Sequence, residues 1–283
     1  MQGLILINKP QNMTSFDVVA VVRKTLNIKK IGHAGTLDPN AEGLLIILVD
    51  KATKALPFLA FNRKEYVAQL RFGIKTNTGD IWGEVIDSDD SMNIDESRIE
   101  SVLKSFMGVT KQTPPKVSAI SIKGKRLYEY ARANIDVEIP EREIEIFNIE
   151  KLAYEEGILT FKVDCSSGTY IRSLCEDIAL KLNTIGTMQA LTRTSIGHYR
   201  LEDAIDIETL RRNEFRLFPL IDGIELEKVE VENVVDVKNG KTLSLDHTSD
   251  EILITHQNEM LAVYQYREED GLYHCVRGVM VDD

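Results

Sequence analysis

The chain has 283 residues, 43% of them hydrophobic, three cysteines and a formal net charge of −11. This length is enough for one large core, or for a core and a small second domain. No apolar run reaches the length of a membrane span, and Met1-Gln2-Gly3 leads into the first apolar run without a basic segment, so we expect a soluble cytoplasmic protein. The odd cysteine number and wide spacing argue against a disulfide framework and a zinc site.

The negative charge is concentrated at the C-terminal end of the chain. Residues 1–200 hold 26 Lys and Arg against 25 Asp and Glu, whereas residues 201–283 hold 8 against 20. Between residues 104 and 132, seven basic residues accompany a single acid, Glu129. A local basic patch on a near-neutral body is sufficient to hold a phosphate backbone, although a solvated basic face has the same composition.

The first elements alternate between strand and helix. Gly3–Asn8 is an apolar run typical of a strand, and Lys9-Pro10 ends it. Thr14 and Asp17 have the spacing of a capping box, which predicts the start of a helix. The apolar residues that this helix carries include Phe16, Val19, Ala20 and Leu26.

Asp38 lies in a segment, Gly32–Gly43, that has three glycines and a proline in twelve residues. This composition argues against a regular helix or strand. An unbroken apolar run follows at Leu44–Val49 and predicts a buried strand. Pro39 keeps Asp38 out of the α region. A carboxylate on a rigid loop over a core strand suits a nucleophile or a general base, and a tight turn stabilised by Asp38 itself is the alternative.

The middle of the chain continues with mixed helices and strands. Alternation over Lys64–Phe72 places Tyr66 on the apolar face of a strand, and Gly73–Gly83 is a polar loop that holds Asp80. The further predicted elements are helices at Ala52–Ala60, Ile99–Phe106, Lys125–Ala133 and from about Arg172 to Leu182, and strands at Val117–Ile122, Glu143–Leu152, Leu159–Asp164 and Thr187–Thr194.

The composition shifts around Pro219–Asp222 and predicts a domain boundary. Turn signals at Asn239-Gly240 and Asp270-Gly271 separate strand-like runs beyond it. These runs are Val229–Val237, Glu251–Thr255, Leu261–Tyr266 and Leu272–Val279. We therefore expect one domain at residues 1–222 and a small all-β domain at residues 223–283.

Four segments, in order, resemble motifs of the tRNA pseudouridine synthase B (TruB) family: KPQNMTS, GHAGTLDPNAEGLL, QTPPKVSAISIKGKRLYEYAR and SSGTYIRSL. The resemblance runs from about residue 3 to residue 200. Asn12 stands where glycine is usual, and Ser121 stands where lysine is usual, with Lys123 two residues later. The resemblance implies an α/β (α+β) fold with a large, mostly antiparallel mixed sheet, flanking helices, an RNA-clamping insertion at about 108–142 and a PUA-like C-terminal domain.

The resemblance also implies roles for individual residues. Asp38 is the catalytic aspartate, Arg172 pairs with it, and Tyr66 stacks on the uracil and is a candidate for proton removal at C5. The residues expected to bind substrate or to support the site are His33 (as a wedge in the RNA), Asp80, Leu191, Lys9, Tyr170, Lys123 and Arg126. Independently, Arg172 lies near a helix N-terminus, where the dipole disfavours a cation, so an anion facing it would explain its position.

The activity implied is the isomerisation of uridine 55 in the T arm of tRNA to pseudouridine, without cofactor or metal, by a monomer with no obligate protein partner. Whether Asp38 attacks C1′ of the ribose or C6 of the uracil stays open. One alternative is a non-catalytic RNA-binding or tRNA-folding module, which would not need both Asp38 and Arg172. Another is an aspartyl-phosphate hydrolase, but the second carboxylate that such sites need is replaced by Asn40.

Overall fold

The computed structural model describes the chain at residues 1–90, 93–118, 120–122, 124–133, 135, 137–246 and 249–279. The chain folds into two compact units. The first comprises residues 1–39, 43–61 and the residues from 197 onward, and the second comprises residues 40–42 and 62–196. No helix in the described part of the chain is long and apolar enough to cross a membrane.

The described residues form strands throughout the chain, with short helices between them. The strands are β1 (Gly3–Lys9), β2 (Ile31–Ala34), β3 (Glu42–Val49), β4 (Arg63–Phe72), β5 (Ile74–Thr76), β6 (Val85–Ser88), β7 (Gly108–Gln112), β8 (Ser121–Ile122), β9 (Lys125–Arg126), β10 (Arg142–Glu155), β11 (Ile158–Ser166), β12 (Gly186–Ile196), β13 (Tyr199–Arg200), β14 (Glu227–Glu230), β15 (Glu251–His256), β16 (Glu259–Arg267) and β17 (Leu272–Gly278). The α-helices are α1 (Ser15–Leu26), α2 (Glu96–Lys104), α3 (Leu127–Arg132), α4 (Ile171–Lys181), α5 (Ile207–Arg211) and α6 (Val234–Lys238), and 3-10 turns cover Asp50–Phe58, Leu201–Asp203 and Leu220–Gly223.

In the first unit, β1 and β2 both pair with β3 in antiparallel orientation. The predicted strand at Leu44–Val49 is confirmed, and all six of its residues are buried. The prediction that no regular helix or strand runs through Gly32–Gly43 is confirmed for its middle, but both ends are strand, since Glu42 and Gly43 belong to β3. Gly32–Ala34 belong to β2, because the apolar β3 offers backbone hydrogen bonds that outweigh the low strand preference of glycine.

Helix α1 begins where the capping box predicts. Thr14 Oγ1 accepts the backbone N–H of Asp17 at 3.0 Å, and the Asp17 carboxylate accepts the backbone N–H of Thr14 at 2.7 Å. The helix packs onto β1, β3 and α5 through a buried face that consists of Val18, Val19 and Val22. This packing fixes the position of the N-terminal end of α1, which lies beside the Asp38 loop.

The second unit contains five antiparallel strands in the spatial order β12-β4-β11-β10-β7. Alternate residues of β4 are buried, as the sequence pattern predicts: Tyr66, Ala68, Leu70 and Phe72. Helix α4 packs against β12, and α2 packs against β10. The predicted mixed α/β class with a mostly antiparallel sheet and flanking helices is confirmed.

Three predictions in the second unit are wrong in detail. The helix predicted at Lys125–Ala133 begins only at Leu127, because Lys125 and Arg126 form β9. Within Gly73–Gly83, which was expected to be only loop, Ile74–Thr76 forms β5 and pairs with β6. The strand predicted at Val117–Ile122 is reduced to Ser121–Ile122 among the described residues. Its partner β9 is only two residues long, so no more pairing is available.

The C-terminal part of the first unit is a small four-stranded sheet with the order β14-β15-β16-β17. β14 runs parallel to β15, and the other pairs are antiparallel. The strand predicted over Val229–Val237 is wrong in its second half, which forms α6. Asn233 caps this helix by accepting the N–H of Val235 at 3.0 Å, and Val237 enters the core of the sheet. The domain boundary at 222/223 stays a prediction.

Candidate active site

The Asp38 loop connects β2 to β3 and is anchored on both sides of the aspartate. The buried Ser15, first residue of α1, bonds the backbone of Leu37, accepting its N–H at 2.9 Å and donating to its carbonyl at 3.3 Å. On the other side, Lys9 Nζ donates to the carbonyl of Pro39 at 3.1 Å. Asp38 is half-buried between these two fixed neighbours. The position of Asp38 is therefore fixed by the hydrogen bonds that hold the backbone of Leu37 and Pro39.

Lys9 connects two loops. Its side chain has no exposed surface, and Nζ donates to the carbonyls of Met13 at 2.6 Å and Pro10 at 2.8 Å as well as to Pro39. The turn that follows β1 contains Asn12 in the left-handed region, at φ 63°. Asparagine tolerates this conformation better than most residues, so it can occupy a position where the related family has glycine.

His33 lies on β2, opposite Ile47 of β3. Its ring makes an edge-to-face contact with the ring of Phe16, with the centroids 5.3 Å apart. Phe16 is 72% exposed at the first turn of α1, so the helix does not use it for its core. Phe16 was expected only as one of the apolar residues of this helix, with no role at the site. The sequence feature that indicates its exposure is its position two residues after the N-cap Thr14, on the helix face away from Val18, Val19 and Val22.

In the second unit, Tyr66 and Leu191 lie close together on neighbouring strands. Tyr66 on β4 is opposite Arg193 on β12, and Leu191 is opposite Ala68. Residues opposite each other in an antiparallel pair face the same side of a sheet, so the four side chains share one face. All four are buried. Arg193 was missed in the sequence, although its spacing of two from Leu191 places it on the same strand face.

Arg172 is the second residue of α4, and its side chain is only 6% exposed. Its Nη1 donates to the carbonyl of Thr78 at 2.9 Å, and its Nη2 donates to the carbonyl of Val117 at 3.0 Å. Nη1 is also 3.9 Å from Oδ2 of Asp80. The structure therefore brings together Arg172 and Asp80, two residues that the sequence analysis named separately. The pairing of Arg172 with Asp38 stays a prediction.

The loop that carries Asp80 is itself well ordered by hydrogen bonds. Asp80 Oδ1 accepts from Thr78 Oγ1 at 2.8 Å and from the backbone N–H of Trp82 at 3.2 Å. Glu176, one turn further along α4, lies near Arg172. Burial raises the pKa of Glu176, and the positive charges of Lys75 and Arg172 oppose this effect. Arg172 is thus set among several fixed polar groups.

Tyr170 is the N-cap residue of α4, and Gln112 at the end of β7 holds it. The Gln112 amide donates to the carbonyl of Tyr170 at 3.0 Å and accepts its N–H at 2.8 Å. Ser173 Oγ also donates to the carbonyl of Thr113 at 2.9 Å. The guanidinium of Arg142 lies over the Tyr170 ring, 5.7 Å from its centroid. The Gln-Thr-Pro-Pro segment thereby fixes the start of the helix that carries Arg172.

The basic segment is described only in part. Arg126 is exposed on β9, and its backbone N–H donates to the Glu129 carboxylate at 2.7 Å. Lys123 lies outside the described residues. Within the part of the chain that the structure describes, no three His, Cys, Asp or Glu side chains are grouped so that they could hold a metal ion. Burial raises the pKa of the Cys165 thiol to about 12, so this cysteine stays protonated.

Two family models match the chain. Residues 23–171 match the N-terminal domain of the TruB family pseudouridylate synthases, and residues 172–232 match the tRNA pseudouridylate synthase B C-terminal domain. This chain belongs to the TruB family. The family resemblance of the four motifs is thereby confirmed, and with it the pseudouridine synthase class.

Bacterial relatives match over three quarters or more of this TruB-family chain. A tRNA pseudouridine synthase B of Clostridium tetani is 41% identical over 277 residues, which is 96% of this chain and 95% of the relative. The protein of the same name from Alkaliphilus oremlandii is 48% identical over 214 residues, 76% of this chain and 71% of the relative.

Solved structures support the same fold. A chain from the crystal structure of a Cbf5-Nop10-Gar1 complex superposes with a TM-score of 0.74 and 26% identity, covering 99% of the TruB-family chain and 85% of its own length. A chain from an H/ACA RNP bound to a substrate RNA containing 2′-deoxyuridine superposes with a TM-score of 0.72 and 25% identity, covering 99% and 86%.

Proposed function

We propose that this protein isomerises uridine 55 in the T arm of tRNA to pseudouridine, with Asp38 as the nucleophile. The observation that carries the proposal is the anchored Asp38 loop, in which Ser15 holds Leu37 and Lys9 holds Pro39. Relatives that match more than 90% of this chain carry the name tRNA pseudouridine synthase B, which supports tRNA as the substrate.

The reaction breaks the N1–C1′ glycosidic bond, turns the uracil and joins its C5 to C1′. Substrate and product are isomers, so no redox partner or group donor is consumed, and amino acid side chains suffice. A carboxylate can capture one fragment while the other turns, provided that the site stays closed. Attack by Asp38 at C1′ of the ribose and attack at C6 of the uracil both meet this requirement.

Arg172 is assigned the role of keeping the nucleophile ionised. A guanidinium next to a carboxylate favours the charged form of the carboxylate. The carbonyls of Thr78 and Val117 hold both of its terminal nitrogens, and Asp80 lies near one of them. A cation held in this way loses little entropy when it meets its partner.

Tyr66 and Leu191 are assigned to the uracil. Both side chains are buried and lie on the same face of the sheet. Tyr66 can therefore offer an aromatic surface, and Leu191 an aliphatic one, to the planar uracil. His33 is assigned to the gap that a flipped uridine leaves in the RNA. Its contact with the exposed ring of Phe16 supports this role, because the two rings together present an aromatic edge.

The RNA backbone is assigned to the basic segment that contains Lys123 and Arg126, with Tyr170 and Asp80 supporting the loops around Arg172. We further assign a cytoplasmic location and a monomer that acts without an obligate protein partner. The Cbf5 chain in the superposed structure comes from a complex with Nop10 and Gar1, so this last assignment distinguishes the present chain from that neighbour.

The test is tritium release from C5-labelled uridine in a tRNA transcript. C5 loses its hydrogen only when the new carbon–carbon bond forms there. We expect release by the native chain, and a loss of at least about 1,000-fold in Asp38→Asn, because an amide of the same shape is a poor nucleophile. Filter binding should show unchanged tRNA affinity.

Asp203→Asn is the matched control, because Asp203 is an exposed carboxylate that pairs with Arg216 at 3.0 Å. It should release tritium at the native rate. No release from a folded native chain that binds tRNA would exclude the proposed activity on this substrate and favour a non-catalytic RNA-binding or tRNA-folding module.

A further inference from the structure

Arg193 is among the largest side chains in the protein that are fully buried, with 1% of its surface exposed. It lies on β12 directly opposite Tyr66 on β4. The register of the two strands shifts immediately after this pair, between Arg193 and Ser195. A β-bulge re-aims the side chains next to it and often lies beside an active site. Neither the motifs nor the proposed mechanism uses Arg193.

Arg193 and Tyr66 face each other on one face of the sheet, and a side-chain hydrogen bond with Tyr66 is among the interactions that raise the pKa of Arg193. Burial lowers the pKa of Arg193, and the contact with Tyr66 opposes this effect. A buried cation is costly to the folded state unless it is well partnered, and an apolar residue of similar volume is often more favourable for stability alone. An arginine in this position is therefore better explained by what it does to the phenol.

Lys64 makes the same face still more positive. It lies two residues before Tyr66 on β4, and its Nζ donates to Ser167 Oγ at 2.9 Å. Burial, together with the nearby charge of Arg193, lowers the pKa of Lys64 to about 8. Cys165, opposite Lys64 on β11, stays a neutral thiol at neutral pH. Cations close to a phenol favour its ionised form.

We propose that Arg193 is a positioning residue for Tyr66, fixing the phenol oxygen by a buried hydrogen bond and favouring its phenolate form. This inference rests on the proposed function, with Tyr66 in the role that the family resemblance implies for it, the removal of the proton from C5. The phenolate oxygen accepts that proton, and the electron pair of the C5–H bond re-forms the C5=C6 double bond. C6 releases a pair in the same step: to N1 from the C6=N1 bond where Asp38 attacked C1′, or to the departing Asp38 carboxylate where it attacked C6. Arg193 would thus act through Tyr66, without touching the uracil.

A double-mutant cycle tests the inference. Arg193→Met keeps the length of the side chain and removes its charge and its donors. In single-turnover tritium release, we expect Arg193→Met to be slower by on the order of 100-fold with tRNA affinity unchanged, and Arg193→Lys to recover part of the rate. In a Tyr66→Phe background, Arg193→Met should cost nothing further, because the phenol oxygen is already absent.

Equal losses in both backgrounds would overturn the inference, because Arg193 would then act independently of the Tyr66 oxygen. Arg71→Met is the matched control. Arg71 also connects β4 to β12, donating from Nε to Gln189 at 2.6 Å, but it lies on the other face of β4. This variant should keep the native rate.

A second measurement does not depend on activity. In protein labelled with ¹³Cζ-tyrosine, the Tyr66 resonance is the one of nine that Tyr66→Phe removes. We expect Arg193→Met, or Arg193→Lys should the former not fold, to shift this resonance and leave the other eight in place. An unchanged resonance would contradict the inference. If the native chain releases no tritium but Arg193→Met still shifts the Tyr66 resonance, the result contradicts the proposed function and leaves the contact between Arg193 and Tyr66 supported.

Discussion

At the scale of single residues, three cations in the described part of the chain have almost no exposed surface: Lys9, Arg172 and Arg193. Lys9 and Arg172 donate to backbone carbonyls of loops, and Arg193 has a side-chain hydrogen bond with Tyr66. Buried charges contribute little to net stability, but removing one leaves its partners unsatisfied. Each of these cations therefore holds the groups that it contacts in a single geometry, whereas an apolar residue in its place would allow several.

Lys9→Met tests this argument in the Asp38 loop. Methionine has a similar length but cannot donate to the carbonyls of Pro10, Met13 and Pro39. We expect a loss of about 3 kcal/mol in the free energy of unfolding, measured by denaturant titration. Lys24→Met, on the exposed face of α1, should stay within about 0.5 kcal/mol of the native chain. A Lys9→Met chain as stable as the native one would show that other donors reach these carbonyls.

The candidate site was predictable where a residue type is unusual in its local context. Asp38 before a proline in a glycine-rich loop and Arg172 near a helix N-terminus are of this kind. Arg193 was not found, because a single arginine in an alternating strand is equally typical of a solvated face. Only the register with Tyr66 reveals its burial, and register depends on residues more than 100 positions apart in the sequence.

At the scale of elements, the start of α4 is set by a side chain from β7. Gln112 is buried and satisfies both the N–H and the carbonyl of Tyr170, the N-cap residue. Helix α4 has no side-chain cap of its own. The position of Arg172 therefore depends on a residue about 60 positions earlier in the chain, in the Gln-Thr-Pro-Pro segment.

Gln112→Ala should remove both hydrogen bonds and leave two backbone groups of Tyr170 unsatisfied. We expect it to lower the free energy of unfolding by roughly 2 kcal/mol and to slow tritium release under conditions where the chain is fully folded, because Arg172 loses its fixed position. Gln112→Glu keeps the acceptor but not the donor, so its effects should be smaller. Native rates in folded Gln112→Ala would show that α4 begins correctly without this contact.

The elements that were predictable are those with a strong local signal. The capping box of α1 and the alternation in β4 both depend on residues within a few positions of each other. The strand predicted over Val229–Val237 was wrong in its second half, because the prediction depended on the strand preference of valine. In the structure Asn233 caps a helix, and Val237 fills the core of the C-terminal sheet. Tertiary packing decided this element, and the local sequence does not contain that information.

At the scale of the whole molecule, the charge is divided unevenly, with 26 basic and 25 acidic residues before residue 201 and 8 against 20 after it. We expect an RNA that binds this chain to gain its electrostatic attraction from the basic segment at residues 104–132. The C-terminal residues, with their excess of acid, repel phosphates over the Debye length. We therefore expect few ion pairs with the tRNA and a modest dependence of affinity on salt.

This expectation can be measured as the slope of log Kd against log salt concentration. Arg126→Ala should weaken tRNA binding and reduce the magnitude of the slope by about one, because one phosphate contact is lost. Arg212→Ala is the matched control, since Arg212 is exposed and paired with Glu214 at 3.0 Å in the acidic part of the chain. It should leave the slope unchanged. Were both variants to change the slope equally, net charge rather than the basic segment would determine how this protein holds its RNA.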